Sequence, residues 1–396
     1  MKTKANNSNA LGKEDRVALE KNLPLLSTYY HSKGTKSEKH YAKLVKESGI
    51  DAHIIELANT SLAQAKIIFP PKNEEFTFID LFAGIGGMRL GAQLNGGRCI
   101  FSSEWDKYSQ ITYQTNFGEV PFGDITKIDV KEIPAHDFLI AGFPCQTFSI
   151  AGRKAGFDDT RGTMFFEVAR ILKEHKPKSF LLENVKGLVG HDKGRTLQTI
   201  LSVLKDDLGY TVPKPQILNS RDFGVPQNRE RIFIVGFLNP KDAENFSYPK
   251  GNKQGSTITD IIEKQEVSAK YYLSAQYLKT LENHKQRHAA KGHGFGYQIL
   301  ENDAVASAII VGGMGLERNL IIDKRLKDFT PVTKITGGIN LEYIRKFTPR
   351  ECARLQGFPD KFVIPVSDAQ GYKQFGNSVT VPVIKAVVGS IRKAVN

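Results

Sequence analysis

The sequence is short of cysteine, of tryptophan and of long apolar runs, and each shortage removes a class of protein. Its three cysteines are Cys99, Cys145 and Cys352, an odd number with no Cys-x-x-Cys pair. Neither a disulfide framework nor a cysteine-rich zinc site can be built from them, so each thiol is either a buried apolar residue or a reactive group. No apolar run approaches the roughly 20 residues that span a bilayer. The opening MKTKANNSNALGKEDR is polar and lacks the apolar core of a secretory signal. These absences lead to the expectation of a cytoplasmic chain that does not engage a membrane. Internal repeats and long low-complexity tracts are also missing.

What is present is a chain of 396 residues, 40 % hydrophobic and 24 % charged, with a net charge of +13. That length suits two domains with sizeable cores, and the basic excess favours a polyanionic partner. Residues 1–72 are expected to form an N-terminal extension. Residues 1–50 carry 10 Lys plus Arg against 5 Asp plus Glu, and the first dozen read as a polar tail. From Ser37 to Phe69 helical spacing is interrupted at SGID, which predicts a small helical module. It is either packed on the main domain or arranged as a helix-turn-helix that reads DNA. PPKNEE at 70–75 supplies a stiff polar boundary.

From Phe76 onward short apolar runs alternate with amphipathic stretches. FTFIDLF, RCIFSSE, DFLIAGF, KSFLLENV and RIFIVGF have the length of buried strands. TMFFEVARILKEHKP and RTLQTILSVLKDDLG lie between them as helices. This predicts an α/β fold with a mostly parallel sheet covered on both faces, over residues 73–240. In such sheets ligands bind beyond the carboxyl ends of the strands. A second, smaller domain is expected over 241–358. Its stretch 270–350 holds 8 Lys and 5 Arg against 7 acids, with glycines and aromatics interleaved as in KGHGFGYQ. Such a region suits groove and phosphate contacts. Residues 359–396 end in one closing helix.

The strand ends carry the chemistry. After FIDLF, Gly84, Gly86 and Gly87 form either a plain tight turn or a turn that lets backbone amides approach a ligand. Arg89 stands where a dinucleotide fingerprint has its third glycine, which weakens a phosphate-cradling role. Glu104 could accept both hydroxyls of a ribose, and Trp105 could stack on an adenine or simply fill a core. Asp124 and Ile125 could take the adenine amino group and its apolar face. S-adenosylmethionine, a nucleoside without a pyrophosphate, is a ligand of that kind. Cys145 follows Gly-Phe-Pro at the end of a strand, where sites are built, although cysteines in general are buried and inert. Glu183 and Asn184 end the next strand, and Arg229 and Arg231 alternate at strand spacing, able to hold a carboxylate, a phosphate or a base edge. A thiol, an acid and paired guanidiniums make a nucleophile, a proton donor and an electrostatic clamp.

With DLFAGIGG, EWDKYSQITYQTNFG, GDIT, AGFPCQTFSIAG, DDTRGTMFFEVARIL, LLENVKGL, PQNRERIFIVGF, TPRECARLQGFP and FGNSVTVPV in that order, residues 76–396 resemble the DNA (cytosine-5) methyltransferases of bacterial restriction-modification systems. The resemblance implies a Rossmann-like S-adenosylmethionine-dependent catalytic domain with a smaller DNA-recognition domain. It implies that Phe82, Gly84, Gly86, Glu104, Trp105, Asp124, Ile125, Gly142, Pro144, Asn377 and Ser378 line the S-adenosylmethionine pocket. Cys145 is similar to the family nucleophile, Glu183 to its partner at ring nitrogen 3, and Arg229 and Arg231 to the positioning pair. Gln146, Ser149, Arg153 and Arg161 fall on the loop that closes over DNA. The implied reaction adds the thiolate to carbon 6 of a flipped-out cytosine, methylates carbon 5 and releases S-adenosylhomocysteine, with no metal. Double-stranded DNA is the implied partner of a monomer held at the nucleoid. A cognate restriction endonuclease would act in the same system without direct contact.

Other readings are weighed by particular residues. PCQTF lacks the second cysteine of a deaminase zinc motif, and no His-x-Glu accompanies it. His284, His288 and His293 are spaced as if for a metal, yet no Cys or carboxylate set accompanies them, and phosphate contact or solvation suits them better. A transfer-RNA enzyme of the same chemistry lacks the long stretch found here between Phe237 and Arg345. A transcriptional role for residues 1–72 could coexist with the enzyme.

Overall fold

The computed structural model describes residues 12–70, 74–144, 164–252, 255–290, 292, 296–311, 317–332 and 337–395. Three helices come first: α1 (Lys13–Ser32), α2 (Glu38–Glu47) and α3 (Ala52–Gln64). Leu26, Val45, Ile54, Ala58 and Leu62 form their common apolar core. Helix α1 is not among the elements expected from the sequence. It contains Pro24 in its interior, and its buried residues face the neighbouring helices and the edge of the sheet.

The catalytic layer then runs β1 (Phe76–Leu81), α4 (Gly87–Gln93), β2 (Gly97–Ser103), α5 (Lys107–Phe117), β3 (Phe138–Gly142), α6 (Met164–His175), β4 (Ser179–Val185), α7 (Arg195–Ser202), β5 (Gln216–Asn219), β6 (Gln227–Asn228), β7 (Glu230–Phe237) and α8 (Pro240–Asn245). Six of these strands form one sheet in the order β2-β1-β3-β4-β7-β5. The pairs β1–β2, β1–β3 and β3–β4 are parallel, and β7 runs antiparallel to both β4 and β5. The mostly parallel α/β fold read from the sequence is therefore present, with one reversed strand inserted near its end.

The alternation of side chains along β1 sends Ile79 and Leu81 to one face and Phe76 and Phe78 to the other. On the first face α6 contributes Phe165, Val168, Ala169 and Leu172. On the second, α4 and the C-terminal helix α12 (Val381–Val395) contribute Met88, Val383, Ile384 and Val387. A Cβ at Gly91 would lie 2.7 Å from the Ile384 side chain, so glycine permits the close approach of α4 and α12. The end of the chain thus returns to the catalytic layer.

The smaller domain contains α9 (Ala275–Ala289), β8 (Ala306–Ser307), β9 (Leu320–Ile322) and β10 (Ile344–Lys346), followed by α10 (Pro349–Leu355) and α11 (Asp368–Asn377). Two small apolar clusters belong to it alone, a larger one joins Ile258, Ile309 and Phe347 to residues of the α/β layer, and a buried ionic network supplements them. Arg345, fully buried, places Nε 2.8 Å from Asp323 Oδ2, while Nη1 and Nη2 lie 2.7 and 2.8 Å from the two oxygens of Glu351. Arg345 therefore lies in the interior, unlike the basic surface expected over residues 270–350. Arg325 is also paired with Asp323, so part of the positive excess is internally neutralised. Among the described residues no helix is long and apolar enough to cross a membrane.

Candidate active site at the carboxyl ends of the strands

The turn after β1 is shaped by backbone conformation. Phe82, Gly84 and Gly86 all have positive φ, at 54°, 55° and 84°. A Cβ at Gly86 would lie 2.2 Å from the Phe117 ring, whereas one at Gly84 would meet nothing within 4 Å. Gly86 is therefore required by packing and Gly84 borders open space. Arg89, the residue that broke the dinucleotide pattern, is fully buried. It forms two 2.9 Å bonds to the carboxylate of Glu119 and one of 3.0 Å to Tyr113 Oη. Its role is to tie α4 to the end of α5.

Glu104 is buried just beyond β2, with Oε2 accepting the Gly84 amide at 2.7 Å and Oε1 accepting the Asp106 amide at 2.8 Å. Burial raises its proton affinity and the two amides oppose that rise. Trp105 beside it is 83 % exposed, which removes the core interpretation and leaves an indole face free to stack. Asp124 accepts the Thr126 amide at 3.1 Å, and Ile125 is buried next to it. An open glycine turn, a carboxylate fixed by two amides, an exposed indole and a second carboxylate fit the adenosine half of S-adenosylmethionine.

β3 ends at Gly142, where an added Cβ would lie 3.4 Å from Glu183 Oε2 and 3.8 Å from Met88 Sδ. The missing side chain keeps the ends of β3 and β4 close. Glu183 pairs with Gly142 across the strands, and its Oε1 is 3.1 Å from Arg231 Nε. Burial pushes the Glu183 carboxyl up, while Arg231 and then Arg229 pull it down. Asn184 donates from Nδ2 to the carbonyl of Phe143 at 2.9 Å, fixing the backbone just before Pro144. Cys145, Gln146, Ser149, Arg153 and Arg161 lie outside the described residues, as does His293.

Arg229 does not share the contact that Arg231 makes. Its guanidinium donates to the carbonyl oxygens of Ile309 at 2.9 Å, Gly376 at 3.1 Å and Ser378 at 2.6 Å. Burial pushes it down to about 9. It joins the catalytic layer to the smaller domain and to the end of α11, where Asn377 and Ser378 sit. Gln356 helps at the same junction, donating to Phe375 O at 2.7 Å and accepting from Thr380 Oγ1 at 2.8 Å. These carbonyl contacts are invisible in a sequence.

The other thiols are spoken for. Cys99 and Cys352 are buried, and burial pushes Cys99 up to about 12 and Cys352 higher still. Asp80 is the acid inside the strand run FTFIDLF. It is fully buried on the α4 face of β1, neither oxygen has a hydrogen-bond partner among the described residues, and burial raises its proton affinity strongly. His284 and His288 lie side by side on α9, their rings 4.3 Å apart and tilted by 39°. Among the described residues no group of three or more metal-ligating side chains occurs.

Residues 76–393 match the family described as C-5 cytosine-specific DNA methylase. The chain is 61 % identical over 330 residues to the type II methyltransferase M.HpaII of Haemophilus parainfluenzae, covering 82 % of this chain and 92 % of that protein. It is 50 % identical over 338 residues to the type II methyltransferase M.SsoII of Shigella sonnei, covering 83 % and 85 %. Among solved structures, the Entamoeba histolytica methyltransferase EhMeth superposes with a TM-score of 0.60 at 20 % identity, covering 81 % of this chain and 98 % of that one. At that identity the likeness speaks for the fold.

Proposed function

The chain belongs to the C-5 cytosine-specific DNA methylases of type II restriction-modification systems, and from that premise we propose which of its residues carry out the reaction. The methyl donor is S-adenosylmethionine, whose sulfonium supplies an electrophilic methyl group when bound. We assign its adenosine to Glu104, Trp105, Asp124 and Ile125, and the rest of its pocket to Phe82, Gly84, Gly86, Gly142, Pro144, Asn377 and Ser378. The arrangement of Glu104 on the Gly84 amide beside an exposed Trp105 supports that assignment.

Carbon 5 of cytosine is a weak nucleophile until the ring is activated. Cys145 is assigned the activating role: its Sγ bonds to carbon 6, and the pair of electrons displaced from the ring double bond makes carbon 5 nucleophilic. The raised proton affinity of Cys99 and Cys352 supports this choice, since thiolate is the attacking form. Glu183 donates a proton to ring nitrogen 3, so that the ring gains electron density without gaining charge. Arg231 orients that carboxyl at 3.1 Å. Arg229 acts at one remove, holding the segment that carries Ser378. Loss of the carbon 5 proton to a base then expels Sγ as the thiolate, and the proton on ring nitrogen 3 returns to Glu183, which restores the ring.

The reactive atoms of a paired cytosine are shielded, so the base must leave the stack at a cost of a few kcal/mol. Residues 241–358 are proposed to supply the compensating DNA contacts, and 359–396 to complete the catalytic layer of 73–240. Phe246 and Tyr248 pack with that layer, which carries its boundary past Tyr248. Gln146, Ser149, Arg153 and Arg161 are proposed to close over the DNA. The protein would act as a monomer at cytoplasmic DNA, shielding sites from a cognate endonuclease it need not touch. The position of Glu183 between Gly142 and Arg231 is the observation that carries this reading. Replacing Cys145 by Ala should abolish tritiated methyl transfer to DNA and the covalent adduct with 5-fluorocytosine DNA, and turnover by that variant would refute the assignment.

A further inference from the structure

The adenosine subsite hangs from the margin of the sheet. β2 is an edge strand, and the segment from Gly118 to Ile125 runs beside its end. Phe122 N donates to Ser102 O and Glu104 N donates to Phe122 O, both at 2.8 Å. Glu104 and Trp105 leave the end of β2, while Asp124 and Ile125 leave the end of its neighbour. An edge strand with one full pairing partner is weakly restrained and opens readily.

The N-terminal helices grip these two segments from outside. Tyr41 of α2, fully buried, donates from Oη to the carbonyl of Ile100 in β2. Arg98, also in β2, donates to the carbonyl of His31 at the end of α1. His31 Nε2 lies 3.2 Å from the carbonyl of Gly118, and the Val120 amide donates to Ser27 Oγ at 3.1 Å. His40 Nε2 reaches the carbonyl of Glu132 at 2.9 Å, on the connection to β3. Between these contacts and the glycine turn lies the buried Arg89–Glu119 pair, which joins Glu119 to α4. Of the gripping side chains, Ser27, His31, His40 and Tyr41 precede the matched region 76–393, and Arg98 lies within it.

We infer that the N-terminal helical unit is a positioning part of the methyl-donor site, bracing β2 and residues 118–125 so that Glu104, Trp105 and Asp124 keep the spacing adenosine requires. The inference rests on the assignment of those three residues to adenosine. It treats residues 12–70 as part of the catalytic apparatus.

The test uses the full chain and measures S-adenosylmethionine binding by calorimetry, with methyl-transfer kinetics alongside. All measurements are made well below the melting temperature of every variant. Each lost hydrogen bond to the edge loosens the subsite, so Tyr41→Phe combined with His31→Ala should raise the Kd and KM for S-adenosylmethionine about fivefold or more. The KM for DNA, and kcat at saturating donor, should stay within about twofold. His31→Gln in place of His31→Ala keeps a donor for the Gly118 carbonyl and should restore part of the binding. An unchanged Kd in the combined variant would overturn the inference, and so would a loss confined to DNA affinity, which would make the unit a nucleic-acid contact. Trp105→Ala and Asp124→Ala serve as a separate check. If they bind S-adenosylmethionine like the wild type, the adenosine assignment fails. If they weaken binding and the helix variants do not, the brace alone fails.

Discussion

Replacing Glu183 by Gln is the most informative single change at the site. The amide has nearly the volume of the carboxyl, so the 3.4 Å approach to the Cβ position of Gly142 is preserved, and its oxygen can still accept from Arg231 Nε, now 3.1 Å away. What is lost is the transferable proton. Positioned general acids contribute about 100- to 10,000-fold to rate, equivalent to about 3–5 kcal/mol in the barrier. Burial holds the wild-type carboxyl above the ordinary carboxylate range, so a useful fraction stays protonated at higher pH than for a free Glu. As pH rises through that raised value the acid form is lost and the rate should fall. The variant should show a single-turnover rate lower by the factor above, unchanged S-adenosylmethionine affinity, and no carboxyl-dependent alkaline limb. Arg231→Ala should move that limb to higher pH, because Arg231 pulls the Glu183 carboxyl down. A Glu183→Gln rate within about threefold of wild type would refute the proton-donor role.

Two further outcomes concern stability. Glu119→Ala leaves fully buried Arg89 without its two 2.9 Å partners, and should cost about 3–5 kcal/mol. Urea unfolding should show Arg89→Met with Glu119→Leu recovering most of it, and a single variant that loses less than about 1 kcal/mol would contradict the account. Burial pushes His136 down to about 4 from an ordinary 6.5, with Nδ1 donating to Pro134 O at 2.8 Å. The unfolded chain binds a proton across that window that the folded chain refuses, so this contribution is complete above 6.5 and lost as pH falls toward 4. It amounts to about 3 kcal/mol, and His136→Gln should flatten the acid limb of stability measured by denaturant titration.

Legibility in the sequence followed the physics of each element. The strands carrying FTFIDLF, DFLIAGF and KSFLLENV were readable because burial on both faces demands continuous apolar runs. Helix α1 was not, because its apolar residues pack on α2 and α3 while His31 and Ser27 meet Arg98 of β2 and Val120, so its order comes from partners outside the helix. Arg89 and Arg345 counted as surplus charge in the sequence, yet both are fully buried in ion pairs whose partners lie on other elements. Arg229 was grouped with Arg231 by spacing, but backbone carbonyls from two distant segments hold it.

Chain order and residue type by themselves determined the α/β class, the strand ends and the cast of candidate groups, because those depend on local pattern and on chemistry that only certain side chains possess. Tertiary structure alone decided how the groups are used. It exposed Trp105, buried Cys99 and Cys352, and set Glu183 against Arg231. It also seated the N-terminal helices on the edge strand β2. Burial and the pairing of distant charges arise only when separate segments exclude water together, and no window of sequence contains that information.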